Sequence, residues 1–373
     1  MPARLPLIDA RKALASQLIV LHHLAFYGPM SDAVRPWAGP LVDALSAHGR
    51  LAVQVFLVVA GFLAVRGLAP GGVPKALEPV ALIRRRWVRL AGPYLAALAI
   101  AVTAAALGRA LTDHDTVPDA PTLVQLLANA AMLQDILGHD ALSAGIWYVA
   151  IDLQLYALLT VLLWLAHRST VPGAGPVLVI ALGAASLLII NRDADWDAWG
   201  LYFFGAYALG ALAGWAGPTR GGRAAFAALV VLGAVALALD FRIRIAVALA
   251  TALLLAWAMP RGLGARRLAR PPIEWLGRIS YSVFLVHYPV CMLIGAAAAR
   301  WFPDAPLPAA AGLVLAWAGS TAAGALFHRW VEAPLSARSP GRSTSPAPRA
   351  APADRDDTGM PDDDEAVARP AQR

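Results

Sequence analysis

Cysteine is almost absent: the 373 residues contain one, Cys291. A single thiol excludes any intramolecular disulfide, and its place inside an apolar run makes core packing its expected role. Charge is scarce too. Asp, Glu, Lys and Arg make up 15% of the chain, against about 25% in a soluble globular domain. The motifs of soluble enzymes are missing. There is no P-loop, no Gly-x-Ser-x-Gly elbow and no His/Cys spacing suited to zinc or another metal. Gly262-Leu-Gly264 sits in a basic loop with no strand before it, so it is not a dinucleotide fingerprint. No repeat of fixed period is present.

Apolar sequence fills the chain instead: 59% of residues are hydrophobic and the mean hydropathy is +0.59. Long runs lie near 12–30, 48–68, 88–108, 144–166, 174–190, 198–216, 224–240, 245–259, 279–298 and 308–328. A bilayer asks for about 20 apolar residues per helix, range roughly 17–25. The chain therefore reads as all-α, a polytopic helical membrane protein of about ten transmembrane helices. The stretch 121–137 is shorter and suits an interfacial helix. No small-residue cleavage site closely follows the first run, so that run is expected to remain as an uncleaved span.

The net charge of +7 is explained by topology before any nucleic acid is invoked. With the N-terminus inside, roughly 18 Lys and Arg fall on the cytoplasmic side and roughly 7 on the other, which by the positive-inside rule places both termini in the cytoplasm. Residues 1–335 form the expected membrane domain. Residues 336–373, rich in Pro, Ser, Arg and Asp, are expected to be a disordered polar cytoplasmic tail, with Asp362, Asp363, Asp364 and Glu365 as a solvated acidic stretch. Gly210-Ala-Leu-Ala-Gly214 is a small-xxx-small pattern that suits close helix packing.

Ionisable residues inside apolar spans are costly and mark candidate sites. Four groups stand out. Arg11 and His22 are eleven positions apart, close to three turns, and so share one helix face with roughly 16 Å of rise between them. Imidazole can serve as a general base near neutrality; a helix–helix hydrogen bond is the alternative for His22, and a simple packing role is expected for His23. Arg84, Arg85, Arg86 and Arg89 crowd the start of the third run, where guanidinium forks suit phosphate oxygens and positive-inside placement accounts for one or two of them. Asp152 lies in an apolar run with Tyr148 and Tyr156 four residues to either side, and needs an arginine or histidine partner from another span. Ser280 and His287 share a face, with Tyr281 and Tyr288 alongside.

Taken in order, these segments resemble acyltransferase family 3, the integral membrane O-acyltransferases, over about residues 8–335. Asp9-x-Arg11, ten residues and His22 resemble the first-span signature. VQVFLVVAGFL at 53–63 resembles the phenylalanine-rich second span. Arg86-x-x-Arg89 with Pro93-Tyr94 resembles the third-span signature. Trp147, Asp152 and Tyr156 keep a Trp…Glu…Tyr spacing, ISYSVFLVH at 279–287 resembles Ser-Tyr…Leu-x-His, and WVEAP at 330–334 resembles the closing Glu-x-Pro. Ala60 stands where the family usually has serine, and Asp152 where it has glutamate. No relay through a soluble esterase-like domain is expected.

The resemblance implies transfer of an acyl group, acetyl the expected one, from cytoplasmic acyl-CoA to a hydroxyl of a carbohydrate or glycolipid. No bound cofactor or metal is implied; acyl-CoA is a co-substrate. An address in the plasma (inner) membrane is expected for a bacterial chain, and no nucleic-acid partner. In this reading His22 is the base, with Arg11, Asp152 and His287 completing the catalytic group. Arg84, Arg85, Arg86 and Arg89 hold the CoA phosphates, and Trp147, Tyr148, Tyr156, Ser280 and Tyr281 shape the acceptor pocket. The competing class is a transporter or a lipid- or solute-binding membrane protein, which intramembrane charges also suit.

Overall fold

The computed structural model describes residues 5–263 and 268–338. Gly264, Arg266, Arg267, the acidic run and nearly all of the expected tail lie outside them. Among the described residues the protein is helical throughout, with no strand. The elements are α1 (Pro6–Phe26), α2 (Met30–His48), α3 (Ala52–Leu68), α4 (Pro79–Arg109), α5 (Leu123–Ala130), α6 (Trp147–Arg168), α7 (Ala174–Leu188), α8 (Gly200–Trp215), α9 (Arg220–Leu239), α10 (Ile243–Ala258), α11 (Pro271–Trp301), α12 (Pro306–Phe327) and the short α13 (Ala333–Arg338). A π turn over His328–Glu332 joins the last two.

Ten of these helices overlie the ten apolar runs. Among the described residues seven segments are long and apolar enough to cross a membrane; they hold α3 (continuous with α2), α4, α6, α7, α9, α11 and α12. The other three runs became α1, α8 and α10. α1 carries Asp9, Arg11 and Lys12 in its first turns, and α8 and α10 are 16 residues each. The ends follow local chemistry. Prolines open α4 and α11, where no amide hydrogen is needed. Thr122 and Thr219 cap α5 and α9, accepting from Gln125 N and Gly222 N at 3.1 and 3.0 Å.

Sequence reading missed α2. It contains Pro36 and Pro40 and the charged Asp32, Arg35 and Asp43, and it bends at the non-helical Ala38. Arg35 pairs with both Asp32 and Asp43, so one guanidinium is shared by two carboxylates. Its buried face, Met30, Val34 and Val42, packs with α1, α11 and α12.

Two packed groups of helices meet at the site. α8 is buried along nearly its whole length and forms the centre of one, with α3, α6, α7, α9 and α10 around it. The second is built on α1, α2, α4, α11 and α12. α3 and α8 approach closely because Gly61 and Gly210 face the opposite backbone. A Cβ at either would come within 2.0 Å of a carbonyl oxygen, Tyr207 O or Val58 O. The small-residue pattern on α8 is thus a true contact face. Cys291 is buried, with Sγ 3.4 Å from Ser320 Oγ.

Candidate active site

Two cavities enter the molecule where α1, α3, α4, α6 and α11 converge. One, of about 480 Å3, is lined by the basic side chains Lys12, Arg86, Arg89 and Arg278, with Asp152 and Glu332 among them. The other, of about 800 Å3, is lined by His22, His23, Tyr27, Asp43, Arg50, Asp140 and Trp147. The helices order them consistently. α1 and α11 run from the basic cavity (Lys12; Arg278, Ser280, Tyr281) towards the imidazoles (His22, His23; His287), while α3 and α6 run the opposite way (Val53 to Leu68; Trp147 to Tyr156).

Asp152 finds the partner its burial demands. Arg86 Nη2 donates to Asp152 Oδ2 at 2.5 Å, and the guanidinium lies 5.0 Å from the Tyr156 ring centroid. The pair links α4 to α6 across the floor of the basic cavity. Glu332, on the π turn, accepts from Ser282 Oγ at 2.6 Å and lies 3.0 Å from His328 Nδ1. The Tyr281 hydroxyl and Arg86 Nε are buried without a hydrogen-bond partner among the described residues. Such groups are rare unless something else meets them.

The imidazoles form a separate system. His22 Nδ1 lies 3.1 Å from Leu45 O on α2. A carbonyl only accepts, so Nδ1 carries the hydrogen and Nε2 keeps its lone pair. His287 Nδ1 lies 2.9 and 3.1 Å from the carbonyls of Phe284 and Val283, which fixes its tautomer in the same way. His287 Nε2 is then the acceptor for His23 Nδ1, 2.6 Å away, with the two rings stacked at 4.9 Å. In neutral rings His23 donates from Nδ1 and also keeps a lone pair on Nε2. The cavity therefore holds two imidazoles with a free basic nitrogen, each oriented through Nδ1.

The expected site residues divide between these systems. His22 and Trp147 line the larger cavity. Asp152, Arg86, Arg89, Tyr148, Tyr156, Ser280, Tyr281 and Ala60 line the basic one. His287 is fully buried behind His23. Trp147 and Tyr148 fall to different cavities because neighbours on a helix point about 100° apart. Arg11 lines neither cavity, and its Nε is buried without a partner among the described residues; the next residue, Lys12, faces the basic cavity instead. Arg84 and Arg85 are exposed and outside both. Neither Asp152 nor His287 is hydrogen-bonded to His22; Leu45 O holds it.

Lys12, Arg278, Glu332 and His23 were not foreseen as members of the site. A signal existed for Glu332, in the closing Glu-x-Pro, and for His23, beside His22. Nothing local distinguished Lys12 and Arg278 from ordinary basic residues at helix ends.

Buried imidazoles and a basic cavity thus meet within a helical scaffold that has seven segments long and apolar enough to cross a membrane among its described residues. A family model described as an acyltransferase domain matches residues 6–325, and the chain belongs to that family. It is a multi-pass membrane protein built around an acyltransferase domain. It is also similar to a protein described as regulator of hypoxia-inducible factor 1 from Caenorhabditis elegans, 26% identical over 212 residues, 50% of this chain and 39% of that protein. The chain thus spans well under half the length of that curated relative. No solved structure matches.

Proposed function

We propose that the enzyme transfers an acyl group, acetyl the expected one, from acyl-CoA to a hydroxyl of a carbohydrate or glycolipid, with His22 as general base. The observation that carries this reading is the pairing of a basic cavity with an imidazole cavity from opposite ends of the same helices. Lys12, Arg89 and Arg278 suit the phosphates of the donor, since cation–phosphate hydrogen bonds are the strong, charge-assisted kind. Arg84 and Arg85 are left as cytoplasmic anchors in an inner-membrane protein with both termini inside. The larger cavity offers Trp147 as a stacking surface and Asp43, Asp140 and Arg50 as partners for hydroxyls, which suits a sugar.

In the reaction, the donor lies with its phosphates at the basic end and its thioester towards the imidazoles. His22 Nε2 takes the acceptor hydroxyl's proton as the oxygen attacks the thioester carbonyl. The tetrahedral intermediate collapses, the C–S bond breaks, and the departing thiolate takes the proton from His22. The new C–O ester stays on the acceptor.

The test is turnover of labelled acetyl-CoA by the purified protein with a crude glycan extract, wild type beside His22→Ala. Label in glycan with wild type, and a fall of at least about a hundredfold in the variant, is the expected result. Full activity of His22→Ala removes His22 from the mechanism. A second reading has an observation of its own: the His287 bond orients His23 as firmly as Leu45 O orients His22, so His23 is the base if His23→Ala, and not His22→Ala, abolishes transfer.

A further inference from the structure

Phe284 lines both cavities. It does not stand alone there. Its ring lies 5.3 Å from Tyr148 and 5.8 Å from Phe56, and those two rings are 6.0 Å apart, centroid to centroid. The three rings come from α3, α6 and α11, and each touches the other two. Phe56 and Tyr148 face the basic cavity; Phe284 is shared. We infer that this aromatic triangle is the partition through which the donor's acyl group reaches the imidazole cavity, and that it restricts the donor to short acyl chains. The inference rests on the donor reading of the basic cavity.

Several contacts support a fixed rather than a loose partition. Phe284 is only 5% exposed. Gly145, just before α6, is pressed against it: a Cβ there would meet Phe284 O at 2.6 Å and the Phe284 ring at 3.5 Å. The Phe284 carbonyl also accepts from His287 Nδ1 at 2.9 Å, and His287 in turn holds His23. The wall and the imidazoles are therefore positioned by one stretch of α11. A long acyl chain attached to a donor anchored among Lys12, Arg89 and Arg278 would have to displace these rings. An acetyl group asks for the smallest displacement of them.

Two measurements test the inference. The first needs no activity. In a Cys291→Ser background, Ala144→Cys reports on the imidazole cavity and Ala60→Cys on the basic one. A charged thiol reagent is applied to sealed vesicles from the side that labels Ala60→Cys. Ala144→Cys should resist it while the triangle is intact, and its labelling rate should rise at least tenfold when Phe284→Ala is added. Equal labelling with and without Phe284→Ala overturns the partition. The second compares acetyl-, butyryl- and hexanoyl-CoA as donors. Phe284→Ala should raise the hexanoyl-to-acetyl rate ratio at least tenfold over wild type; an unchanged ratio with measurable acetyl transfer overturns the chain-length role. Wild type that turns over none of the donors removes the donor reading, and the chain-length role with it, while the labelling result still decides whether the partition exists. Phe284→Leu, which keeps an apolar side chain but loses the ring, replaces the alanine variant if that one does not fold.

Discussion

Arg86 and Asp152 show how a single buried pair can be both structural and poised. Their side chains are 24% and 10% exposed, so losing one partner leaves the other charge stranded at low dielectric. Removing one member of such a pair costs about 3–5 kcal/mol, whereas replacing both by apolar residues is often neutral. Asp152→Asn should therefore lower the thermal midpoint of the detergent-solubilised protein clearly. Arg86→Met with Asp152→Leu should restore much of the stability. If the pair also serves the reaction, the restored double variant remains inactive; a stable and active double variant would confine the pair to folding. The imidazole pair makes a different prediction. His287 lines neither cavity and is hydrogen-bonded to His23, so His23→Ala and His287→Ala should not add: the double variant should transfer acyl groups no more slowly than the slower single one, as for residues that act as a unit. A multiplicative loss would separate their roles. The need of Asp152 for a cationic partner was legible in the sequence; that Arg86 and not Arg89 supplies it was not, because the register of α4 against α6 is a tertiary fact.

At the scale of elements, the contact between α3 and α8 sets how tightly the helix group centred on α8 packs. Helix propensity alone favours alanine over glycine by about 1 kcal/mol. At Gly210 the backbone of α3 opposes it, because the nearest atom to an added Cβ is the carbonyl oxygen of Val58, at 2.0 Å. A backbone cannot move aside as a side-chain tip can. Gly210→Ala should therefore destabilise, by the roughly 1–3 kcal/mol typical of overpacking, and thermal unfolding in nanodiscs would show it; a stabilised variant would mean that α3 and α8 slide apart freely. Apolar runs made the ten helices that overlie them legible, because in lipid only length and composition are needed to specify a helix. The same rule hid α2. Its prolines and three charges interrupt the apolar pattern, yet Arg35 pairs with Asp32 and Asp43 on the helix itself. That omission mattered, since α2 supplies the Leu45 carbonyl that orients His22.

The whole molecule separates two chemistries along one direction. Cations gather at the end where α1, α4 and α11 begin, and imidazoles, Trp147 and carboxylates line the other cavity. Sequence reading grouped Tyr148, Tyr156, Ser280 and Tyr281 with Trp147 as one pocket, because spacing along a helix reveals a shared face but not which cavity that face meets. The separation predicts a division of kinetic effects. Lys12, Arg89 and Arg278 should govern capture of the donor and leave the acceptor untouched. A lost hydrogen bond to a charged group is worth about 1.5–3 kcal/mol, or roughly ten- to a hundredfold. Arg278→Ala should accordingly raise the KM for acetyl-CoA by about tenfold or more, with little change in kcat and none in the KM for the acceptor. Asp140→Ala, in the other cavity, should do the reverse. Charged residues within a Debye length still feel one another, so the comparison is made at physiological ionic strength, where long-range effects between the two cavities are damped. If Arg278→Ala instead depresses kcat and leaves the donor's KM unchanged, the basic cavity does not hold the donor's phosphates, and the two ends of the molecule must be assigned the other way round.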